Sequence, residues 1–573
     1  MTIIWKKWSD DVVNEHHKNI YYYRDLYEGN HVELFPRARK LKKDGEIVSD
    51  LIAASDKSLI RKGQVPYIVA NVSALIAEIP AMLVSRAIGR ISPANDTEHT
   101  AEIRELQKAI IEEITEDSEL SFEHYTNILQ HQIDGGLVGI VTKEIDDIPI
   151  IETKARDVYF PHDDGRGADI ALVEKYPDHE ANQQEDEEDP DLIEYLHIYR
   201  ERIERSKERD KETKKRKSKL ICTHILYKIK SGGSLEEVEE ETAAEMLGVE
   251  KLETVYEGRS RGFIRYWANN KTFSEPLGRS ALRNQESKQE EINWTLTRNA
   301  IVYQQNGKPR IAVNKRIFKK LADIAYDRHG DEEKIEHEDL EIFEMDENGN
   351  SLEVFQLDIS KIGNIEWVKD LMKMMFVETQ TSEKAVDFYL EDGGSPAQSG
   401  VAKFYDLFTS LIKAEKIAKE YIAFLQDLYE GALWMERELG DIKDLPIEKP
   451  DIHLIDMIPI ARKELIEQES LAYEKKIQSR YESVKRIKPN DSEASIEDEV
   501  ATIEEENSSD DSNSLLMGRK TLNNFMDNRD ANGNPIDPNK DEDDEDEDPD
   551  NPDNKQDDKN KKKDDPAAAG AKK

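Results

Sequence analysis

The run from Ser360 to Gly431, SKIGNIEWVKDLMKMMFVETQTSEKAVDFYLEDGGSPAQSGVAKFYDLFTSLIKAEKIAKEYIAFLQDLYEG, reads as helix, loop, helix. Between Ser360 and Gln380, Ile365, Val368, Met372, Met375 and Thr379 recur at three- and four-residue spacing, which puts them on one helix face. At about 1.5 Å per residue this helix spans roughly 32 Å. Glu391-Asp392-Gly393-Gly394-Ser395-Pro396 breaks the pattern, because glycine accepts unusual backbone angles and proline fixes one. Ser399-Gly400 opens a longer helix. Its stripe is Val401, Phe404, Phe408, Leu411, Tyr421, Leu425 and Leu428, with Ala414 and Ala418 at the small positions. Pattern alone leaves two readings open. One is a helical hairpin with an incidental turn; the other is a glycine-rich loop, held between long helices, that projects into a space and moves there.

The 573 residues suffice for two to four structural units. Hydrophobic residues make up 37% and charged residues 36%, the latter well above the usual quarter, so long solvated helices or disordered parts are expected. The net charge is −42, from 81 basic and 123 acidic residues. Phosphate binding relies on Lys and Arg releasing counterions, so a body this acidic does not grip nucleic acid by bulk attraction. Contact with DNA must be loose or confined to a small basic patch. Cys222 is the only cysteine, which excludes intrachain disulfides and multi-cysteine zinc sites and fits a reducing compartment. Met1 to Asp11 lacks the apolar core of a signal peptide. The most apolar run, Val65 to Ile88, is interrupted by Pro66, Asn71, Glu78, Pro80 and Arg86, and reads as a buried helix rather than a membrane span.

Taken in order, the chain alternates in texture. Ser9 to Tyr27 is an expected helix stopped by Gly29, and Tyr21-Tyr22-Tyr23 is either a stacking platform or the core and rim of that helix. Arg37 to Lys43 is a basic cluster of the kind found in solvated loops. A helix from Pro66 to Arg86, kinked at Pro80, precedes amphipathic helices over Thr97 to Thr115 and Ser118 to Ile133. Leu137 to Lys143, Ile148 to Lys154, Val158 to Phe160, Ile170 to Lys175, Asp191 to Arg200, Lys219 to Lys230 and Phe263 to Ala268 form an expected antiparallel meander. Acidic His179 to Pro190 and basic Arg202 to Lys217 read as exposed loops or fraying hairpin ends. Ala281 to Gln305 is a polar helix with sparse apolar positions at Leu282, Ile292, Leu296, Ala300 and Tyr303. So polar a helix needs neighbours on more than one side, as in a ring. Pro309 to Val313 and Leu352 to Leu357 are strand-like, with a short helix over Lys315 to Tyr326. Ile452 to Ile460 is extended, Ala461 to Arg486 is a charged helix, and Ile496 to Glu506 is a second. From Asn528 the composition is that of a disordered chain, with nine acidic residues in Asp541 to Asp550. The whole is α+β.

Catalytic constellations are missing from this sequence: it contains no GxxxxGK[ST], GxSxG or HExxH, and no GxGxxG after a strand. His162-Asp163-Asp164-Gly165 offers metal-ligand chemistry but suits a turn between strands. Asn528 to Gly533 resembles the start of a calcium loop, yet Asn539 stands where a bidentate Glu belongs.

Several features in series resemble the portal proteins of tailed double-stranded DNA bacteriophages, the head-to-tail connectors. Tyr27-Glu28-Gly29 closes an early helix; Asn71 begins a helix ending in Ile79-Pro80, with Gly89 beyond. Pro276-Leu277-Gly278-Arg279-Ser280 leads into a polar helix with Asn293, Thr297 and Asn299. An α/β unit, a second long helix, a loop, Ser399-Gly400-Val401-Ala402 and a long helix follow. The resemblance covers roughly residues 10 to 510 and leaves the segments between His179 and Lys217 and the acidic terminus without counterpart.

It implies a mainly α portal-type fold: a wing over 1–275, stem helices over 276–305 and 359–381 flanking a small α/β clip over 306–358, a tunnel loop over 382–398, a long wing helix over 399–451, a crown over 452–515 and a disordered acidic tail over 516–573. It also implies a ring, usually of twelve copies, at one capsid vertex, through which DNA is packaged and ejected. The implied partners are further copies of the chain, double-stranded DNA, the terminase large subunit, head-completion or adaptor proteins, and the major capsid and scaffolding proteins. No membrane, cofactor, metal or catalytic residue is implied, and the location is the virion, with host cytoplasm during assembly. Lys384, Asp392, Gly393, Gly394, Ser395 and Gln398 would face the channel from the loop, and Lys369 and Lys373 from the stem. Two other function classes compete: an acidic scaffold or adaptor that never touches DNA, and a hydrolase built around His162 and Asp163.

Overall fold

The computed structural model describes residues 19–45, 47–48, 65–94, 100–143, 148–177, 192–209, 216–230, 233–306, 310–313, 319, 323, 326, 352–355, 365–384, 400–440, 442–443, 445–457, 462–488 and 495–504. The chain divides into two units, Met1–Pro459 and Ile460–Lys573.

The first unit opens with short helices, α1 (Ile20–Glu28), α2 (His31–Leu34) and α3 (Pro36–Asp44). Pro36 sits in the first turn of α3, where its missing N–H costs nothing. Strands β1 (Ile47–Val48) and β2 (Val65–Pro66) pair in parallel. Helix α4 (Val72–Ala87) follows, then β3 (Ile88–Ser92) and helices α5 (Ala101–Asp117) and α6 (Leu120–Asp134). The expected helix from Pro66 therefore begins six residues later. Residues 67–71 lie outside helix and strand, and the backbone N–H groups of Ile68 and Ala70 are taken by side chains of a distant helix, described below. Pro80 is accommodated inside α4.

A β-rich region comes next: β4 (Gly136–Thr142), β5 (Ile150–Ala155), β6 (Tyr159–Pro161), β7 (Gly167–Pro177), β8 (Leu192–Arg209), β9 (Arg216–Ile229) and β10 (Leu235–Glu237). Helix α7 (Glu240–Met246), β11 (Glu253–Glu257) and β12 (Arg265–Ala268) complete it. Strands β6 to β10 form an antiparallel sheet in chain order, with β11 also on β9, while β4 lies between β12 and β5. Two outcomes for the sequence reading stand out. Of the two readings of the basic run after Arg200, the hairpin end holds and the loop does not, because β8 and β9 continue to pair as far as Arg209–Arg216. Helix α7 and strands β10 and β11 lie where no regular element was expected. His162 to Gly165 is the turn between β6 and β7, and His162 Nε2 lies 2.7 Å from Asp169 Oδ1.

The remaining elements are α8 (Glu286–Asn306), β13 (Arg310–Val313), β14 (Leu352–Phe355), α9 (Ile365–Glu378), α10 (Gly400–Leu439) and β15 (Asp451–Leu454). Strands β13 and β14 pair antiparallel, and β15 pairs with β3 of the same unit. Two cores organise the unit. One gathers α5, β4, β5 and α10 around Ile111, Val138, Tyr421, Leu425 and Tyr429. The other gathers α1, α3, α4, α8 and α9 around Leu26, Ile76, Ile292, Leu371 and Met375. Of the stripe expected on α9, Val368 and Met375 are buried, but Ile365 is exposed and Leu371 and Phe376 take its place. On α10, Leu411 to Leu428 are buried as expected, whereas Phe408 is 45% exposed.

In the second unit, the single charged helix expected over Ala461 to Arg486 is two, α11 (Arg462–Glu474) and α12 (Arg480–Ile487). The chain breaks at Lys476, which takes a left-handed φ of 58°, and Ser479 Oγ then caps α12 by accepting from the N–H of Glu482. The acidic terminus and the Asn528 to Gly533 segment lie outside the described residues.

Candidate functional site

Helices α8 and α9 pack against each other, and α9 carries Lys369 and Lys373 of the residues on which the sequence reading of function turns. The polarity of α8 has a definite use. Gln285, Gln289, Asn293 and Thr297 recur every four residues and are all buried. The last three form a ladder onto the segment before α4, whereas Gln285 Nε2 donates to Glu378 on α9 at 3.1 Å. Thr297 Oγ1 accepts from Ile68 N–H at 3.0 Å and Asn293 Oδ1 from Ala70 N–H at 3.1 Å. Gln289 Nε2 donates to Ala70 O at 2.6 Å, and its Oε1 accepts from Ser73 N–H at 3.0 Å. The last bond matters because α4 starts at Asn71 without a side-chain cap of its own. The first N–H groups of any helix lack intrahelical partners, and α8 supplies one from outside. The ladder is therefore satisfied within one chain. By the sequence reading, so polar a helix needs neighbours on more than one side, as in a ring; for these four residues the neighbours lie within the chain.

The ladder continues into α2. Asn293 Nδ2 lies 2.7 Å from His31 Nδ1, and His31 Nε2 lies 2.8 Å from Leu26 O. That geometry suits a neutral ring with its proton on Nε2, and burial holds the His31 pKa below its ordinary value. Asn71 Nδ2 donates to Tyr27 O at 2.6 Å, so the Tyr27-Glu28-Gly29 end of α1 and the start of α4 are tied together. Gly29 closes α1 with a φ of 83°.

The run from Pro276 to Ser280 forms a second knot, beneath α8. Gly278 has a φ of 83°, and a Cβ built there would lie 2.4 Å from both Asn269 O and Gly135 O. Only glycine fits. Around it, Arg279 N–H donates to Asn269 O, Asn269 N–H to Gly135 O and Ala281 N–H to Gln132 O. Buried Arg156 reaches both Asp134 O and Gly278 O through Nη1. Arg24 closes the cluster with paired bonds to Asp134 (2.9 and 2.6 Å) and Asp157 (3.1 and 3.0 Å). Burial pushes the Asp157 carboxyl up, but Arg24 outweighs it and holds the group below the usual range.

Helix α10 is fixed just as firmly. Arg259 pairs with Glu430 at 2.8 Å, and its guanidinium lies 5.0 Å from the Phe263 and Trp434 ring centres. Tyr421 OH meets His124 Nδ1 at 2.9 Å and Tyr429 OH meets Thr115 Oγ1 at 2.7 Å. Fully buried Glu201 accepts from the N–H groups of Phe263 and Ile264, and burial pushes its pKa up.

Of the residues assigned to a channel by resemblance, Lys369, Lys373 and Lys384 are exposed, and Lys373 Nζ lies 3.7 Å from Glu383. Asp392, Gly393, Gly394, Ser395 and Gln398 lie outside the described residues. Lys288 bridges α8 to α9 by pairing with Glu378 at 2.8 Å, which together with Gln285 holds that carboxyl below its ordinary pKa. Three apolar side chains of α9 are exposed among charged ones: Trp367 is 39% exposed, Met374 46% and Val377 78%, alongside exposed Glu366, Lys369, Asp370 and Lys373. Among the described residues no cluster of three His, Cys, Asp or Glu is arranged to hold a metal ion, and none of their helices is long and apolar enough to cross a membrane. No protein-family model and no curated protein matches this chain.

Proposed function

We propose that this chain is a portal protein of a tailed double-stranded DNA bacteriophage, a non-enzymatic subunit that assembles into a ring and conducts DNA. One arrangement carries the reading. Helices α8 and α9 pack side by side, enclose the β13–β14 pair between them in sequence, and are followed by the 40-residue helix α10. That order is the stem, clip, stem and long wing helix of the resemblance. The exposed Met374 and Val377 on α9 are compatible with it, since a ring offers such side chains a second copy.

In this reading, acidic surface around the passage repels phosphate and keeps the duplex centred, while few basic side chains limit friction. The loop with Gly393, Gly394 and Ser395 faces the DNA, flanked by Lys384, Asp392 and Gln398, with Lys369 and Lys373 on the stem. Energy for translocation comes from a separate ATPase, the terminase large subunit. Head-completion proteins meet the clip, and the subunits belong to the virion.

Negative-stain imaging of the purified full chain tests the assembly: rings with a central hole are expected. Monomers or elongated dimers would favour the acidic scaffold or adaptor that does not contact DNA. Deleting Gly393 to Ser395 should then block packaging while rings still form, and unimpaired packaging would remove the loop from the mechanism.

A further inference from the structure

Strands β8 and β9 outrun their sheet. Strand β7 accompanies β8 only to Arg202, and β11 accompanies β9 only to Lys219. Past these points the two strands pair only with each other, through Arg205–Ser218 and Arg209–Arg216. From Arg205 to Arg209 this two-stranded ribbon extends about 13 Å at ~3.3 Å per residue.

Its charge is the reverse of the chain's. The sequence holds 81 basic residues against 123 acidic, but positions 202–209 and 216–219 hold seven basic and two acidic. Lys219 is paired with Glu204 at 3.0 Å. Arg202, Arg205, Lys207, Arg209, Arg216 and Lys217 are all exposed, and none forms an ion pair with another described residue. The basic helix α3 differs, because Arg37 is paired with Glu291 and Lys42 with Glu33. With no ion-pair partner among the described residues, these six cations repel one another, and a polyanion removes the repulsion.

We infer that the free end of the β8–β9 ribbon binds the phosphate backbone of double-stranded DNA without sequence preference. A duplex is a stiff array with one charge per ~1.7 Å and loses little conformational freedom on docking, whereas an acidic peptide loses much more. The B-form major groove, ~12 Å wide, admits a two-stranded ribbon. The described tip carries Arg, Lys, Glu and Ser with no Asn or Gln, which suits phosphate contact over base reading. The inference is independent of the ring reading, since it concerns a different segment from the loop at Gly393 and holds in any assembly state.

Fluorescence anisotropy of a short labelled DNA duplex with the full chain tests it. With about four phosphates contacted, affinity should fall roughly 100-fold between about 50 and 200 mM salt. Combining Arg205→Glu, Lys207→Glu, Arg209→Glu and Arg216→Glu should reduce affinity at the lower salt at least ten-fold, roughly the loss expected from removing these phosphate contacts. The melting temperature should be unchanged. Should that variant fail to fold, the same four positions as alanine serve. Reversal of Arg39, Lys40 and Lys43 on α3 should leave binding intact. The inference is overturned if the wild type does not bind the duplex, if the ribbon variant binds as well as wild type, if the α3 variant loses as much, or if polyglutamate is held as tightly as DNA.

Discussion

Replacing Gln289 by leucine isolates the ladder between α8 and the start of α4. The side chain is fully buried and serves two backbone groups, Ser73 N–H at 3.0 Å and Ala70 O at 2.6 Å. Leucine removes both partners while keeping a similar volume. Ser73 N–H, left without a partner, costs about 1–3 kcal/mol, whereas Ala70 O keeps the N–H of Val72 at 2.8 Å, and burial of the new methyl groups returns part of the loss. A net loss of about 1–2 kcal/mol is expected. Urea unfolding followed by far-ultraviolet circular dichroism reads the difference, at one fixed protein concentration because association adds to apparent stability. Ser287→Ala, exposed on the same helix, should stay within about 0.5 kcal/mol of wild type. If the Gln289→Leu chain is as stable as wild type, the ladder does not hold α8 to the segment before α4, and the polarity of α8 must be explained from outside the chain.

Three further outcomes are expected. Gly278→Ala puts a Cβ 2.4 Å from two carbonyl oxygens at a φ of 83°, so it should cost at least about 2 kcal/mol and lower the melting temperature, with Ala281→Gly as a milder neighbour for comparison. Lys413 is pushed down to about 8 by burial, so its folded pKa lies below the unfolded value of 10.5. The cost of its charge is full below about pH 8 and is relieved as pH rises toward 10.5; Lys413→Met should therefore stabilise by about 1–2 kcal/mol at pH 7, an advantage that fades by pH 10.5 in matched urea titrations. His124 is held down at about 4 by burial beside Tyr421. Its contribution is present above the unfolded value of 6.5 and is lost as pH falls toward 4, by up to roughly 3 kcal/mol, so a pH series of unfolding midpoints should be shallower in His124→Gln.

The ladder shows where reading the sequence stops. Gln285, Gln289, Asn293 and Thr297 are visible as a four-residue polar repeat, and that repeat is the signal that could have identified a buried hydrogen-bonding face. What it cannot reveal is the partner, because Ile68, Ala70 and Ser73 lie more than 200 positions away and contribute only backbone groups. The same holds for Gly278: its glycine advertises a turn, while the contact with Gly135 that forbids any side chain is a matter of tertiary packing. The ribbon of β8 and β9 was hidden for a different reason. Its charged residues read equally as loop or as a fraying hairpin end, since local composition does not decide pairing until the partner strand is known.

The sequence by itself determined that the chain is α+β, that α10 is a long helix with Leu411, Tyr421, Leu425 and Leu428 inward, and that the strands of the β-rich region pair antiparallel, because periodicity and turn chemistry are local; it read one meander where the structure has two sheets, β4 with β5 and β12, and β6 through β11. Only the tertiary structure decided where α4 begins, which polar residues are consumed inside the chain, and which basic residues remain unpaired. Those depend on hydrogen bonds and ion pairs between segments far apart in sequence, whose geometry no local pattern encodes.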